Sequence, residues 1–140
     1  MSIWKRQNSL ESLNELCDSC AISHLGIKFT QRGDDWLEAT MTIDERTTQP
    51  MGWLHGGVSC VLAETVGSMA GFCCVDDPYV TVGLEINASH LRPVRGGLVT
   101  ARATPVRIGR TVHVWNIDIK NSDGDLCCQS RLTLSVVTAK

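Results

Sequence analysis

The order of apolar and polar positions divides the chain into a short helix, two extended runs, a long helix and four further extended runs. In residues 9–17, Ser9 and Glu11 flank Leu10, Leu13, Leu16 and Cys17, whose three-and-four spacing predicts a short helix with one apolar face. Residues 25–31 read as a strand and Gly33-Asp34-Asp35 as a hairpin turn. Residues 36–43 read as a second strand, with Leu37, Ala39, Met41 and Ile43 alternating against polar neighbours. After a loop rich in Thr, Gln, Pro and Gly, helical spacing returns at Val58, Val61, Leu62, Thr65, Val66, Met69 and Ala70. That stripe predicts a helix from about Gly56 to Cys74, buried along it. Extended runs come next at 80–91, 98–106, 111–121 and 126–137, broken at 93–97, 108–110 and 122–125 by short segments that contain glycine. Breaks of that length join antiparallel neighbours. So apolar a helix needs a sheet face to cover it. The predicted fold is therefore α+β: a curved antiparallel sheet of five or six strands wrapped around one long central helix.

Composition narrows the function classes. The 140 residues suit one domain, 1–140, and 43% hydrophobic with 20% charged residues is the balance of a globule with a real core. No repeat, low-complexity tract or linker divides the chain. A net charge of −2 lacks the concentrated Lys and Arg excess that phosphate backbones require, so no nucleic-acid partner is expected. Residues 1–7 hold no apolar run of signal-peptide length, and no stretch approaches the ~20 apolar residues of a membrane span. A cytoplasmic protein with no membrane partner is the expectation. The seven cysteines are odd in number and include the neighbours Cys73-Cys74 and Cys127-Cys128, which suits reduced, mostly buried thiols. Cys17-Asp18-Ser19-Cys20 followed by His24 has the spacing of a redox or zinc pair, but nothing completes a four-ligand set. No metal and no cofactor are expected.

Within residues 55–71, Glu64 is the one charged side chain after His55. A carboxylate in such surroundings loses hydration, which raises its proton affinity and makes it a candidate base near neutral pH. Steps of four and seven link it to Cys60, Ser68 and Gly71, a ridge of small side chains beside which a backbone or slender ligand fits. Gly56-Gly57 opens the helix, where amides without internal partners lie at the positive end of the dipole, ready for an oxyanion. The residues alone equally allow Glu64 as an exposed helix glutamate, His55 as a cap, Gln49 as a loop brace and Ser68 as a partner of a backbone carbonyl. His24 and His113 read as structural, and Trp36 and Trp115 as core or interface.

The segment Asp44-Glu45-Arg46-Thr47-Thr48-Gln49-Pro50-Met51-Gly52-Trp53-Leu54-His55-Gly56-Gly57, followed by Leu62-Ala63-Glu64 and Gly67-Ser68-Met69-Ala70-Gly71, resembles the hotdog-fold acyl-CoA thioesterases. Within that family it is similar to the bacterial branch of the 1,4-dihydroxy-2-naphthoyl-CoA thioesterase and the enterobactin proofreading thioesterase. The resemblance extends through Ile3-Trp4-Lys5-Arg6, through 82–88 with His90 and Arg92, and through Leu126-Cys127-Cys128 with Ser130-Arg131-Leu132-Thr133. Met51, Trp53 and Ser89 depart from the residues usual in relatives.

The resemblance implies a homotetramer made of two dimers, each dimer with one continuous sheet and active sites at its interface. Glu64 would be the catalytic carboxylate, nucleophile or general base, with Gln49, His55 and the Gly56 amide supplied by the facing subunit. Substrate binding would fall to Ser68, Val82, Gly83, His90, Leu91, Arg92 and Pro93, and to the turn of Arg107, Ile108, Gly109, Arg110, Thr111 and Val112. The implied reaction is hydrolysis of an aromatic acyl-CoA, of 1,4-dihydroxy-2-naphthoyl or benzoyl type, to free acid and CoA. Acyl or aryl carrier-protein thioesters are the alternative donors, and a non-catalytic acyl-CoA-binding protein is the alternative class. Hotdog dehydratases carry their histidine in a His-Phe-Pro context, whereas His55-Gly56-Gly57 stands here and favours hydrolysis.

Overall fold

Six strands form one sheet in the order β1-β2-β4-β5-β6-β3, every neighbouring pair antiparallel, in a computed structural model that describes residues 1–139. The strands are β1 (Lys28–Arg32), β2 (Leu37–Thr42), β3 (Tyr79–His90), β4 (Leu98–Ile108), β5 (Val112–Lys120) and β6 (Leu126–Thr138), with helices α1 (Leu10–Leu16), α2 (Ala21–His24) and α3 (Gly56–Cys73). Helix α3 touches every strand from β2 across to β3. A helix about 10 Å wide reaches five strands spaced ~4.8 Å apart because the sheet curls around it. This is the expected α+β architecture, and with six strands.

Two expectations need correction. The run at 25–31 starts later, as β1 from Lys28, because residues 21–24 form one helical turn. Ser23 and Cys20 cap that turn reciprocally, with the Cys20 amide donating to Ser23 Oγ at 3.4 Å. The buried face of α3 is also rotated from the apolar stripe. Ser59, Leu62, Ala63, Val66, Gly67, Ala70 and Gly71 face the sheet, while Val61 is 37% exposed. Shape decides this, since nearly every side of the helix is apolar and its small residues permit the closest approach. A Cβ on Gly67 would lie 2.6 Å from Leu132 Cδ2, so β6 packs where only glycine fits. Gly71 thus belongs to the core and not to the ridge of Glu64. By length and composition α3 could cross a membrane, yet it is the helix the sheet wraps, with 44% of it buried.

The core contains Trp115, Leu62, Val66, Ile117, Ile119, Leu132 and Leu134, all fully buried. Each such side chain contributes roughly 1.5–3 kcal/mol through burial. Strand β3 is different. It is a long edge strand, its far side pairs with no strand among the described residues, and Val82 and Leu84 lie exposed on it. A register shift between Gly83 and Glu85 bulges it next to the middle of α3.

Candidate active site

The head of α3 carries one cluster of the expected residues. His55 Nδ1 accepts from the Gly57 amide at 2.9 Å and the Val58 amide at 3.3 Å, so the imidazole caps the helix and its proton sits on Nε2. The first intrahelical bond runs from Ser59 N–H to His55 C=O at 3.0 Å. Among the described residues, the Gly56 N–H finds no acceptor, which leaves it the free amide of that turn. A Cβ on Gly56 would stand 3.1 Å from His90 Nε2, a tight contact, so the glycine gives that imidazole room beside the start of α3. Gln49 Oε1 accepts from the amides of Met51 and, at 3.3 Å, Trp53, which braces the loop while the side-chain NH2 stays available. Gln49, Gly56, His90, Leu91, Arg92 and Pro93 line one cleft of about 330 Å³ together with Trp53, Ser59, Cys127 and Cys128.

Glu64 opens elsewhere. Eight residues along α3 place it about 12 Å from Gly56. It lines an apolar slot of about 430 Å³ with Leu16, Ile22, Thr65, Ser68, Met69, Phe72 and Thr81. Its carboxylate lies against Gly83, where a Cβ would collide with Oε2 and stand 3.5 Å from the carboxyl carbon. The ridge therefore does admit another backbone, that of bulged β3. Thr81 Oγ1 donates to Ser68 C=O at 3.3 Å and ties β3 to the helix at this level.

The nearby thiols are poor nucleophiles. Burial, and then the Glu64 charge, push the Cys60 thiol up; burial pushes Cys128 up to about 11, with Cys60 and Cys127 adding to it. Both stay protonated at neutral pH. All seven cysteines are free. In the Cys17/Cys20 pair, Cys17 is buried and Cys20 exposed.

The remaining expected residues lie at the two ends of the sheet. Val82 and Val112 both register with Ser135 of β6, from its two sides, which brings the 107–112 turn to the level of Glu64's strand neighbour. Ile108, Gly109, Arg110 and Thr111 line a third cavity, about 570 Å³, with Lys5, Tyr79 and His113. His90 registers with Cys128, seven residues and about 23 Å along β3 from Gly83. Within one chain, Arg92 and Arg110 thus face different ends of the sheet. Trp53, Leu54, Ser59, Val94, Ile119 and the cysteines in the cleft, and Leu16, Ile22, Thr65, Met69, Phe72 and Thr81 in the slot, were not expected at a site. Of these slot residues only Phe72, eight positions from Glu64, carries a helical spacing that points to it.

The sequence model of the thioesterase superfamily matches residues 51–128, which contain the whole head of α3, Glu64 and Gly83. The chain belongs to that superfamily. It is 48% identical over 135 residues to the 1,4-dihydroxy-2-naphthoyl-CoA hydrolase of Escherichia coli, covering 96% of this chain and 99% of that one. It is 49% identical to the proofreading thioesterase EntH of Cronobacter turicensis, covering 96% and 98% of the two chains. The crystal structure of a Haemophilus influenzae thioesterase superposes with a TM-score of 0.96 at 58% identity, covering 97% of this chain and 95% of that one. The protein is a thioester hydrolase with the hotdog fold, as the resemblance implied.

Proposed function

We propose that this thioesterase hydrolyses aromatic acyl-CoA thioesters to free acid and CoA, at sites composed of residues from two subunits. One observation carries the reading. Glu64 and the free Gly56 amide ride on the same rigid helix yet open into separate cavities about 12 Å apart, so a single chain offers one carbonyl only half of the machinery. Pairing two chains along the unpartnered edge of β3 lets the head of one α3 face the slot of the other and makes two whole sites. A dimer so formed, doubled into a homotetramer, is the assembly proposed.

Each half supplies a distinct part of the chemistry. The thioester oxygen sits at the Gly56 N–H, where the amide and helix dipole stabilise the developing oxyanion, a contact worth roughly 3 kcal/mol. His90 flanks that oxygen, Gln49 orients the water or carboxylate, and capping by His55 keeps the Gly57 and Val58 amides occupied. Glu64 attacks the carbonyl or deprotonates the attacking water. The leaving thiolate, whose conjugate acid has a pKa of about 8.5, departs without strong protonation. Similarity to the E. coli hydrolase favours an aromatic acyl-CoA. Acyl or aryl carrier-protein thioesters are the second donor class. Seven free thiols suit a cytoplasmic protein.

Subunit mixing tests the composite site. Glu64→Ala and Gln49→Ala homo-oligomers should each lose at least ~100-fold in turnover, and hybrids should regain activity, because each hybrid dimer holds one intact site. Hybrids that form and stay inactive would refute shared sites.

A further inference from the structure

The slot beside Glu64 has a wall that lies outside the 51–128 stretch matched by the superfamily. Leu16 ends α1 and Ile22 lies in α2, and both line the slot with Met69 and Phe72. Leu16 is 59% exposed, although Leu13, one turn earlier on the same helix, is fully buried. A leucine at the rim of an open apolar slot gains burial when an apolar group fills the slot. The wall is held in place. Asn14 clamps α1 to β1, its Nδ2 donating to Phe29 C=O at 3.0 Å and its Oδ1 accepting from Phe29 N–H at 2.8 Å. At the α1–α2 joint, Cys20 Sγ donates to Cys17 C=O at 2.9 Å.

The far end of the slot is equally defined. Phe72 lies eight residues from Glu64, about 12 Å along α3. The Arg6 guanidinium stacks on the Phe72 ring, 4.1 Å from its centre, and is anchored by Asp77 Oδ1 at 3.0 Å and Tyr79 C=O at 2.8 Å. The slot therefore runs from a carboxylate to a ring backed by a fixed cation, between side walls that are mostly apolar and carry the hydroxyls of Thr65, Ser68 and Thr81.

We infer that Leu16 and Ile22 are specificity-determining residues, which select apolar acyl groups long enough to reach from Glu64 towards Phe72 over short ones such as acetyl. This rests on Glu64 being the catalytic carboxylate. Fused-ring aromatic acyl groups and medium straight chains share the required chemistry.

The test compares kcat/KM for 2-naphthoyl-CoA, octanoyl-CoA and acetyl-CoA in the wild-type oligomer and in Leu16→Trp, Leu16→Ala and Ile22→Trp. Leu16→Trp, which crowds the slot from an exposed position, should lower the naphthoyl-to-acetyl ratio at least ~10-fold, and Leu16→Ala should lower the octanoyl-to-acetyl ratio roughly 3-fold through lost contact. A fall confined to the naphthoyl ratio supports the wall and assigns it to fused rings; a fall confined to the octanoyl ratio assigns it to straight chains. If both ratios stay within about twofold of wild type in Leu16→Trp and in Ile22→Trp, or if all three substrates lose the same factor, the wall assignment is overturned. Glu64→Gln separates the two readings. Near-wild-type turnover of all three substrates by that variant removes the catalytic assignment, whereas an inactive Glu64→Gln beside unmoved ratios removes the wall alone.

Discussion

The head and the middle of α3 are built to opposite specifications. The head opens into a cleft of mixed lining in which two amides are already taken by His55, the Gly56 amide is left free among the described residues, and the His90 imidazole lies beside Gly56. The middle is an apolar slot with a single carboxylate pressed against a glycine of a bulged edge strand. One end can stabilise negative charge on oxygen, while the other can supply an oxygen nucleophile or base and room for an acyl group. A rigid helix keeps them about 12 Å apart, and that separation within the chain is the reason to expect assembly between chains.

The contrast is broken most sharply at Gly83. Gly83→Ala places a methyl group where Glu64 Oε2 lies, and the carboxylate must swing away. Turnover should fall at least ~10-fold, with circular dichroism and oligomeric state retained, as expected when a reacting group loses its alignment. Unchanged kcat would mean that the contact with β3 does not position Glu64.

The arginines sharpen the comparison with a smaller effect. Arg92 belongs to the head cleft, and Arg110 to the cavity at the other end of β3. If Arg92, Arg107 and Arg110 all bind phosphates of one CoA, each alanine variant should raise KM for acyl-CoA by roughly 3- to 10-fold and weaken its salt dependence, with kcat nearly unchanged. An acyl-pantetheine substrate lacking the nucleotide should be indifferent to all three. Equal losses on both substrates would assign the arginines to fold or interface.

The smallest effect lies at the third cavity, which His113 lines. His113 is 1% exposed on β5, its Nδ1 finds no partner among the described residues, and burial lowers its pKa. The unfolded chain, with the ordinary value of about 6.5, then binds more protons than the folded one between the two values. Stability should be full above about pH 6.5 and decline as pH falls through the window towards the lowered value. Thermal melts of His113→Asn should show a flatter pH dependence of Tm there than wild type. Parallel profiles would show that His113 does not carry the acid sensitivity.

Much of this molecule is legible in the chain because short-range physics controls it. Strict alternation in 37–43 can bury one face only as a strand, Ser9 can cap only a helix that begins directly after it, and Glu64 is conspicuous because its neighbours carry no charge. Other features had no such signal. The turn of α2 depends on a reciprocal Cys20–Ser23 cap that resembles no common helix start. The buried face of α3 was set by where Gly67 and Gly71 let β6 approach, and hydropathy cannot rank sides that are all apolar. Likewise, His55 caps the helix and Gln49 braces its loop while Gln49 also stands at the cleft, so a structural role does not keep a side chain away from a cavity.

The sequence by itself determined every element except the turn of α2, the candidate carboxylate, the glycines at the head of the helix and the family. Tertiary structure alone decided which of those residues share a cavity. It placed Leu16 and Ile22, more than forty residues before Glu64, at the same slot. It also left Gly56 and Glu64 in different cavities although eight positions separate them. The reason is physical: local pattern specifies which face of an element is apolar, but a pocket is the space left between elements, and that space exists only after they pack.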